Sequence, residues 1–244
     1  MSKVIPIEPV PKRPFRTDES LTTLVLRSLD SEKASYNHVN RDAGQTLFCE
    51  GEQSNGVLIL LDGQVKLSMD SADGKRLILR IAEPEEILGL APAFTGLPHE
   101  MTAETSCHCR LLSIQNNILH NILQGDPRAL SAAARELGLY CSHACKRLQI
   151  LGGSPSVTAK LARMLLEWSK SGRQTARGVQ IHVRISHREV GEFIGASRET
   201  VSRALGEFER RNVIQVRGSL LTITNLKSLE GHAGVSIFEN DEPA

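Results

Sequence analysis

No stretch of this 244-residue chain approaches eighteen uninterrupted apolar residues, so a transmembrane helix is excluded. Met1 to Arg16 is rich in Pro, Lys and Arg and lacks an apolar core, so a secretory leader is not expected. The five cysteines are an odd number and form no disulfide framework, and a reducing cytoplasm is the expected location. There is no surplus of charge either: 29 Lys and Arg stand against 28 Asp and Glu, a net of +1. What is present, 40% hydrophobic and 23% charged residues, is the make-up of a soluble globular protein of one large or two ordinary domains.

The neutral total conceals a division by position. From Gly153 to Ser228 there are 13 Lys and Arg against 6 Asp and Glu, a net of +7, which leaves the remainder at −6. Positive charge gathered in one domain points to a polyanionic partner, although a solvated surface with chance asymmetry gives the same count.

Along the chain, Met1 to Thr17 carries Pro6, Pro9, Pro11 and Pro14 and reads as an irregular arm. Leu21, Leu24, Val25, Leu26 and Leu29 stand near helical spacing. From residue 36 to 115, short apolar runs alternate with Gly, Asp and Asn. Val57–Leu61 and Val65–Met69 read as a hairpin joined by Asp62-Gly63-Gln64, and Asp73-Gly74 marks a second turn before a strand at Arg76–Ile81. Leu111–Ile114 closes the series. Short strands about ten residues apart indicate a β-sandwich or jelly roll.

The period then changes. Leu130, Ala134, Leu137, Cys141, Ala144, Leu148 and Leu151 are spaced alternately by four and three residues, an a/d seam without proline. A helix packed on its own domain can show this spacing. The narrow seam, with Ala134, Cys141 and Ala144 small enough for close approach, favours a dimer helix. Gly152-Gly153-Ser154-Pro155 ends it. A further helix is expected over Ser156–Lys170, burying Leu161, Met164 or Leu165, and Trp168. A polar loop to about Gly178 and a strand over Val179–Val183 follow.

Ser186 to Arg211 carries the function. A short helix, His187 to Ile194, meets the turn Gly195-Ala196-Ser197, in which Gly195 supplies the left-handed backbone and Ser197 caps a second helix. Projected at 100° per residue, Val201, Ala204, Leu205 and Phe208 fall on one side, whereas Arg198, Glu199, Ser202, Arg203 and Gly206 fall on the other. One side is core. The other offers guanidinium donors for guanine O6 and N7 and a carboxylate acceptor for cytosine N4, as in a helix-turn-helix entering the major groove. Val213–Val216 and Leu220–Ile223, joined through Arg217-Gly218-Ser219, read as a wing. An ordinary solvated helix face with an Arg–Glu pair is the competing reading; the basic charge and the seam weigh against it.

From about Leu21 to Ser228 the chain resembles the CRP/FNR family of bacterial transcription regulators. The likeness is most specific in Ser197-Arg198-Glu199-Thr200-Val201-Ser202-Arg203 and Arg211-Asn212-Val213-Ile214, with Leu47-Phe48-Cys49-Glu50-Gly51-Glu52 and Gly89-Leu90 fitting in the barrel. The resemblance implies an α+β fold: a cyclic-nucleotide-binding-type β jelly roll, a long dimerisation helix and a C-terminal winged helix-turn-helix. The implied segments are a 1–20 arm, a 21–128 jelly roll, a 129–152 dimer helix, a 153–228 DNA-binding domain and a 229–244 tail. It implies a cytoplasmic homodimer on double-stranded DNA. Arg198, Glu199 and Arg203 would read bases of a palindrome with TGTGA-like half-sites, and Ser202 resembles the branch that reads TTGAT-like ones. Thr158, His187, Arg188, Ser197, Thr200 and Gly218 stand where relatives touch the sugar–phosphate backbone, and Gln174–Gly178 where relatives touch RNA polymerase.

The effector is where this chain departs from the best-known members. Cyclic-nucleotide binders use a Gly-Glu pair at the ribose and an Arg-Ser pair at the phosphate. Here the matching stretch is Ile87-Leu88-Gly89-Leu90-Ala91, without the Glu, and His99-Glu100 stands in place of Arg-Ser. A carboxylate repels phosphate, so cyclic AMP is not expected to bind in the family's usual way. An N-terminal iron–sulfur cluster is also disfavoured, since the first cysteine is Cys49. Cys107-His108-Cys109 is expected on a strand with both sulfurs on one face, and Cys141 and Cys145, flanking His143, lie one helical turn apart. Either pair is a candidate for a metal or a redox signal, or is simply small and apolar. Two other classes fit the residues less well. A cupin-type metalloenzyme lacks His-x-His spacing among His38, His99 and His108. A nucleotide-binding module acting through protein partners leaves the recognition-helix chemistry unused.

Overall fold

The computed structural model describes residues 19–32, 35–71, 74–152, 156–170, 172–182 and 185–234. The Pro-rich arm, Asp73, the Gly153–Pro155 break, Ser171, Val183 and the end of the tail lie outside them. Packing separates the chain into two compact units that part between Lys146 and Arg147, within one helix.

The first unit begins with α1 (Leu21–Glu32). Eight strands follow: β1 (Asn37–Arg41), β2 (Thr46–Phe48), β3 (Gly56–Asp62), β4 (Val65–Asp70), β5 (Arg76–Ala82), β6 (Ile87–Leu88), β7 (Thr102–Thr105) and β8 (Cys109–Gln115). Between β6 and β7 lies α2 (Leu90–Thr95), and α3 (Asn116–Gly125) and α4 (Pro127–Gly152) come after β8. The strands make two four-stranded antiparallel sheets, in the orders β1-β8-β3-β6 and β2-β7-β4-β5. Val57, Ile59, Leu112 and Ile114 of one sheet form a core with Leu24, Val25 and Leu29 of α1 and Leu119 of α3. Phe48, Leu67, Ala82 and Ala103 of the other share a second core with Leu60, Leu88 and Leu111. The fold is the expected jelly roll.

One expectation is corrected. The runs around Asp62-Gly63-Gln64 are strands, but they do not pair with each other: β3 pairs with β8 and β6, whereas β4 pairs with β5 and β7. The turn is a corner carrying the chain from one sheet to the other. Gly63 is required there. Its φ is 97°, and a Cβ would stand 2.5 Å from the His108 carbonyl oxygen and 2.6 Å from Cys109 Sγ. The local hairpin is β4–β5, closed by Ser71, whose N–H donates to the Lys75 carbonyl at 2.9 Å.

Helix α4 buries Ala129, Ala132 and Ala133 in the first core, with Tyr140 half-buried beside them; the alanines let the helix lie close. Of the expected seam, Leu130, Ala134, Cys141, Ala144 and Leu148 are exposed and Leu137 and Leu151 half-buried.

The second unit holds α5 (Val157–Ser169), β9 (Arg173–Thr175), β10 (Gly178–His182), α6 (His187–Ile194), α7 (Arg198–Arg210), β11 (Ile214–Arg217), β12 (Leu220–Ile223) and α8 (Leu226–Ala233). Its sheet runs β11-β12-β10-β9. Met164 and Leu165 are both buried, and Trp168 is half-buried with its ring perpendicular to Phe193, centroids 5.9 Å apart. The expected polar loop to Gly178 is in fact the hairpin β9–β10, whose tip is fixed by Thr175 Oγ1 donating to the Gly178 carbonyl at 2.7 Å. Helix α8 crosses the expected boundary at Ser228. It packs on α5 with Leu229 and Ala233 fully buried, and Arg163 Nε donates to the Ala233 carbonyl at 2.8 Å. The last turns of α4 join this unit through Arg147, whose guanidinium lies 5.2 Å from the Phe193 ring centroid and donates to the Phe193 carbonyl at 2.5 Å.

Candidate nucleic-acid interface

Each helix of the α6–α7 pair is fixed at its start by a serine. Ser186 and Glu189 form a capping box at the start of α6: the serine hydroxyl accepts from the Glu189 N–H while the glutamate accepts from the Ser186 N–H. Gly195, at φ 67° and ψ 42°, ends α6 in the left-handed region. Ser197 then accepts from the Thr200 N–H at 3.2 Å and starts α7. The two helices close on Gly191, where a Cβ would stand 2.4 Å from the Ala196 carbonyl oxygen.

Val201, Ala204, Leu205 and Phe208 anchor α7 in the core, with Phe208 and Val201 fully buried. Arg198, Glu199 and Arg203 are exposed on its outer side, and Ser202 is half-buried. Neither arginine forms an ion pair among the described residues. Backbone amides at the start of α7, then Ser197, then the two arginines hold the Glu199 carboxyl below its usual range, so it stays an acceptor. A groove of about 600 Å³ is lined by Thr158, Thr200, Ser202, Arg203, Gly206 and Arg210, bringing four expected residues onto one surface. Arg210 was missed by the sequence reading, although the same helical projection places it beside Glu199 and Arg203. His187 Nδ1 lies 2.8 Å from Ser202 Oγ. His187 and Gly218 line a separate small cavity of about 90 Å³ behind the wing. Arg188 belongs to neither group and pairs with Glu192 at 3.1 Å. At the wing tip Gly218 has φ 61°.

The stretch expected at a ribose is tied down by protein. Tyr140 of α4 donates its hydroxyl to the Ile87 carbonyl at 2.9 Å, and Arg80 lies 4.7 Å from the Tyr140 ring centroid, paired with Glu86. Burial alone would lower the Arg80 guanidinium, but Glu86, helped by Tyr140 and Glu136, raises it. Burial, with Glu86 beside it, lifts Glu83 to about 7. His99 is buried with its ring stacked on Phe48 at 3.8 Å, and burial lowers its pKa.

Cys107 and His108 lie in the turn before β8 rather than on a strand, which corrects their expected placement; the chain turns the corner there before pairing resumes at Cys109. Cys109 is fully buried and its thiol is pushed up to about 11 by burial, which makes it a poor nucleophile. Cys141 and Cys145 are exposed. Among the described residues no group of three or more His, Cys, Asp or Glu is arranged to hold a metal ion, and no helix is long and apolar enough to cross a membrane.

Residues 159–231 match the Crp-like helix-turn-helix domain model and residues 38–126 the cyclic nucleotide-binding domain model. A CRP-like cAMP-activated global transcriptional regulator of Mycobacterium tuberculosis is 27% identical over 191 residues, 78% of this chain and 85% of the relative. The cAMP-activated global transcriptional regulator CRP of Pasteurella multocida is 24% identical, over 78% of this chain and 91% of its own. The chain belongs to the CRP/FNR family. In fold, this CRP/FNR regulator is similar to FixK2 from Bradyrhizobium japonicum, with a TM-score of 0.70 at 20% identity over 83% of this chain and all of that one. A CooA mutant from Carboxydothermus hydrogenoformans gives 0.73 at 19% identity over 89% and 97%. The winged unit is thus the DNA-binding domain of a CRP-like transcriptional regulator.

Proposed function

We propose that this CRP/FNR regulator acts in the cytoplasm as a homodimer on a palindromic site with TGTGA-like or TTGAT-like half-sites. Arg198, Glu199, Ser202 and Arg203 read bases. Thr158, His187, Arg188, Ser197, Thr200 and Gly218 meet the backbone. RNA polymerase is the protein partner, through the segment Gln174–Gly178. The observation that carries this reading is the outer side of α7, which offers two arginines free of ion pairs among the described residues and one ionised carboxylate.

The test is selection of bound duplexes from a random library, with and without reductant. A two-fold symmetric motif is expected, and Arg203→Ala should weaken binding to it by roughly 30-fold or more, since the homodimer loses one bidentate base contact of about 1–3 kcal/mol in each half, while relaxing one position in each half. A sequence-independent pool from the wild-type protein rejects the reading. Dependence on reductant would point to a thiol signal, and its loss in Cys141→Ser or Cys145→Ser, rather than at exposed Cys49 or half-buried Cys107, would place it on α4.

The signal enters through the jelly roll or α4 and shifts the population between DNA-competent and incompetent dimers. Cyclic AMP is not that signal in the family's usual manner. Arg80 is already matched by Glu86 and Glu136, and His99 is packed on Phe48 with Glu52 and Glu100 acting on it. Calorimetric titration with cyclic AMP should show no heat of binding at micromolar nucleotide, and a micromolar Kd would overturn this part alone.

A further inference from the structure

The contact between His187 and Ser202 is not accounted for by a role for His187 as one more phosphate contact. His187 opens α6, directly after its capping serine, and is exposed. Ser202 sits on the second turn of α7, half-buried, between Arg198 and Arg203 on the outer side of that helix. Their side chains meet at 2.8 Å between Nδ1 and Oγ, a full hydrogen bond linking the first helix of the motif to the base-facing side of the second.

A serine hydroxyl has one proton and two lone pairs, so a free serine can donate to a base or accept from one and discriminates poorly. A partner that takes the proton removes that ambiguity. In a neutral imidazole one nitrogen donates and the other accepts. With Nδ1 turned to Ser202, Nε2 is the ring nitrogen left for the backbone contact proposed above. Phosphate oxygens only accept, so DNA selects the form protonated at Nε2, and Nδ1 is then an acceptor. Ser202 must donate to it, which leaves only lone pairs for the groove.

Resting on the DNA-reading proposal above, we infer that His187 is a positioning residue that makes Ser202 an obligate acceptor, so that Ser202 selects a base with an exocyclic amino group, adenine N6 or cytosine N4. Guanine and thymine present acceptors at the matching edge and are rejected. The chemistry recognised is therefore one amino-bearing base per half-site, at a position separate from those read by the two arginines.

The experiment is the same library selection with full-length protein, comparing wild type, Ser202→Ala, His187→Ala and His187→Asn. The position whose preference Ser202→Ala abolishes is the one Ser202 reads. Adenine or cytosine is expected there in the wild type, at about tenfold over keto bases. His187→Ala should lose the same preference and keep every other position. His187→Asn should restore it, because its amide oxygen can take the serine proton. The salt dependence of binding should be unchanged in His187→Ala, since a role exerted through Ser202 releases no counterion.

Three results overturn the inference. A His187→Ala protein that weakens equally on all sequences, with a salt slope smaller by about one ion, would make His187 a phosphate contact only. Guanine or thymine at the Ser202 position would reverse the assigned polarity. A Ser202→Ala protein with an unaltered motif would remove Ser202 from readout. A wild type that selects no motif would bring down the DNA-reading proposal itself, which is a different result from a motif that survives the loss of His187.

Discussion

In the proposed homodimer, Leu148→Glu should separate the two copies at micromolar concentration and reduce binding to the proposed palindrome by at least 100-fold. Leu148 is 69% exposed and Leu130 48%, the two most solvent-accessible leucines on α4, while Ala134, Cys141 and Ala144 are exposed between them. The neighbouring stripe of the helix is already spent on Ala129, Ala132, Ala133 and Tyr140. A soluble chain does not ordinarily leave an apolar row of this spacing in water, and a second copy of the same row covers it. Burying a leucine contributes about 1.5–3 kcal/mol, and two-fold symmetry doubles the loss to about 3–6 kcal/mol before repulsion between the two new carboxylates is counted. Each 1.4 kcal/mol is about tenfold, hence the expected magnitude. Ser142→Glu, exposed on α4 but off the seam, is the control and should remain dimeric. Analytical ultracentrifugation and a binding titration on the selected palindrome decide it. A Leu148→Glu protein that stays dimeric and binds as before would place the dimer contact elsewhere.

What could be read in advance follows from how local each signal is. The α6–α7 pair was legible almost to the residue, because Ser186, Gly195 and Ser197 are caps whose chemistry acts within three or four residues, and because Val201, Ala204, Leu205 and Phe208 mark one helical side. Of the eight barrel strands, β3, β4, β5 and β8 are legible as strands, but their partners are not. Asp62-Gly63-Gln64 has the composition of a hairpin turn, and whether the flanking runs pair with each other or with β8 and β7 is decided by packing between two sheets, a non-local matter. Strand β9 was read as loop because Arg173, Gln174 and Thr175 form an edge with no buried face, so no apolar alternation announces it. The α8 helix was read as tail because only Leu229 and Ala233 of its residues are buried, too sparse a pattern for a period to emerge. In the candidate site, the outward residues of α7 were visible by projection, and Arg210 would have been had the projection been carried one turn further. The His187–Ser202 bond was invisible, since residues fifteen apart on two helices meet only through the angle of the turn between them.

That angle depends on Gly191. Gly191→Ala should sharply weaken specific DNA binding by shifting the start of α7, although on propensity alone it ought to help. Gly191 is in the interior of α6, where alanine is favoured over glycine by about 1 kcal/mol. Against this stands the Ala196 carbonyl oxygen, 2.4 Å from where the new Cβ would be. That oxygen belongs to the turn backbone and cannot swing aside as a side-chain end would, and the Ala196 N–H is bonded back to the Gly191 carbonyl at 2.9 Å, so the two segments are held together from both ends. Relief requires moving Ser197 and with it the start of α7. Overpacking of this kind costs about 1–3 kcal/mol and more where backbone must shift, which outweighs the gain in propensity. Thermal unfolding should show the winged unit melting several degrees lower, with binding to the selected palindrome falling out of proportion as α7 is tilted off its groove. Gly206→Ala separates the two effects. It too is a helix-interior glycine, on α7, but nothing lies within 4 Å of its would-be Cβ, so it should raise stability by up to about 1 kcal/mol. If both substitutions stabilise, the close approach at Ala196 is not what sets the turn, and the placement of Arg198, Glu199 and Arg203 must be owed to the capping serines alone.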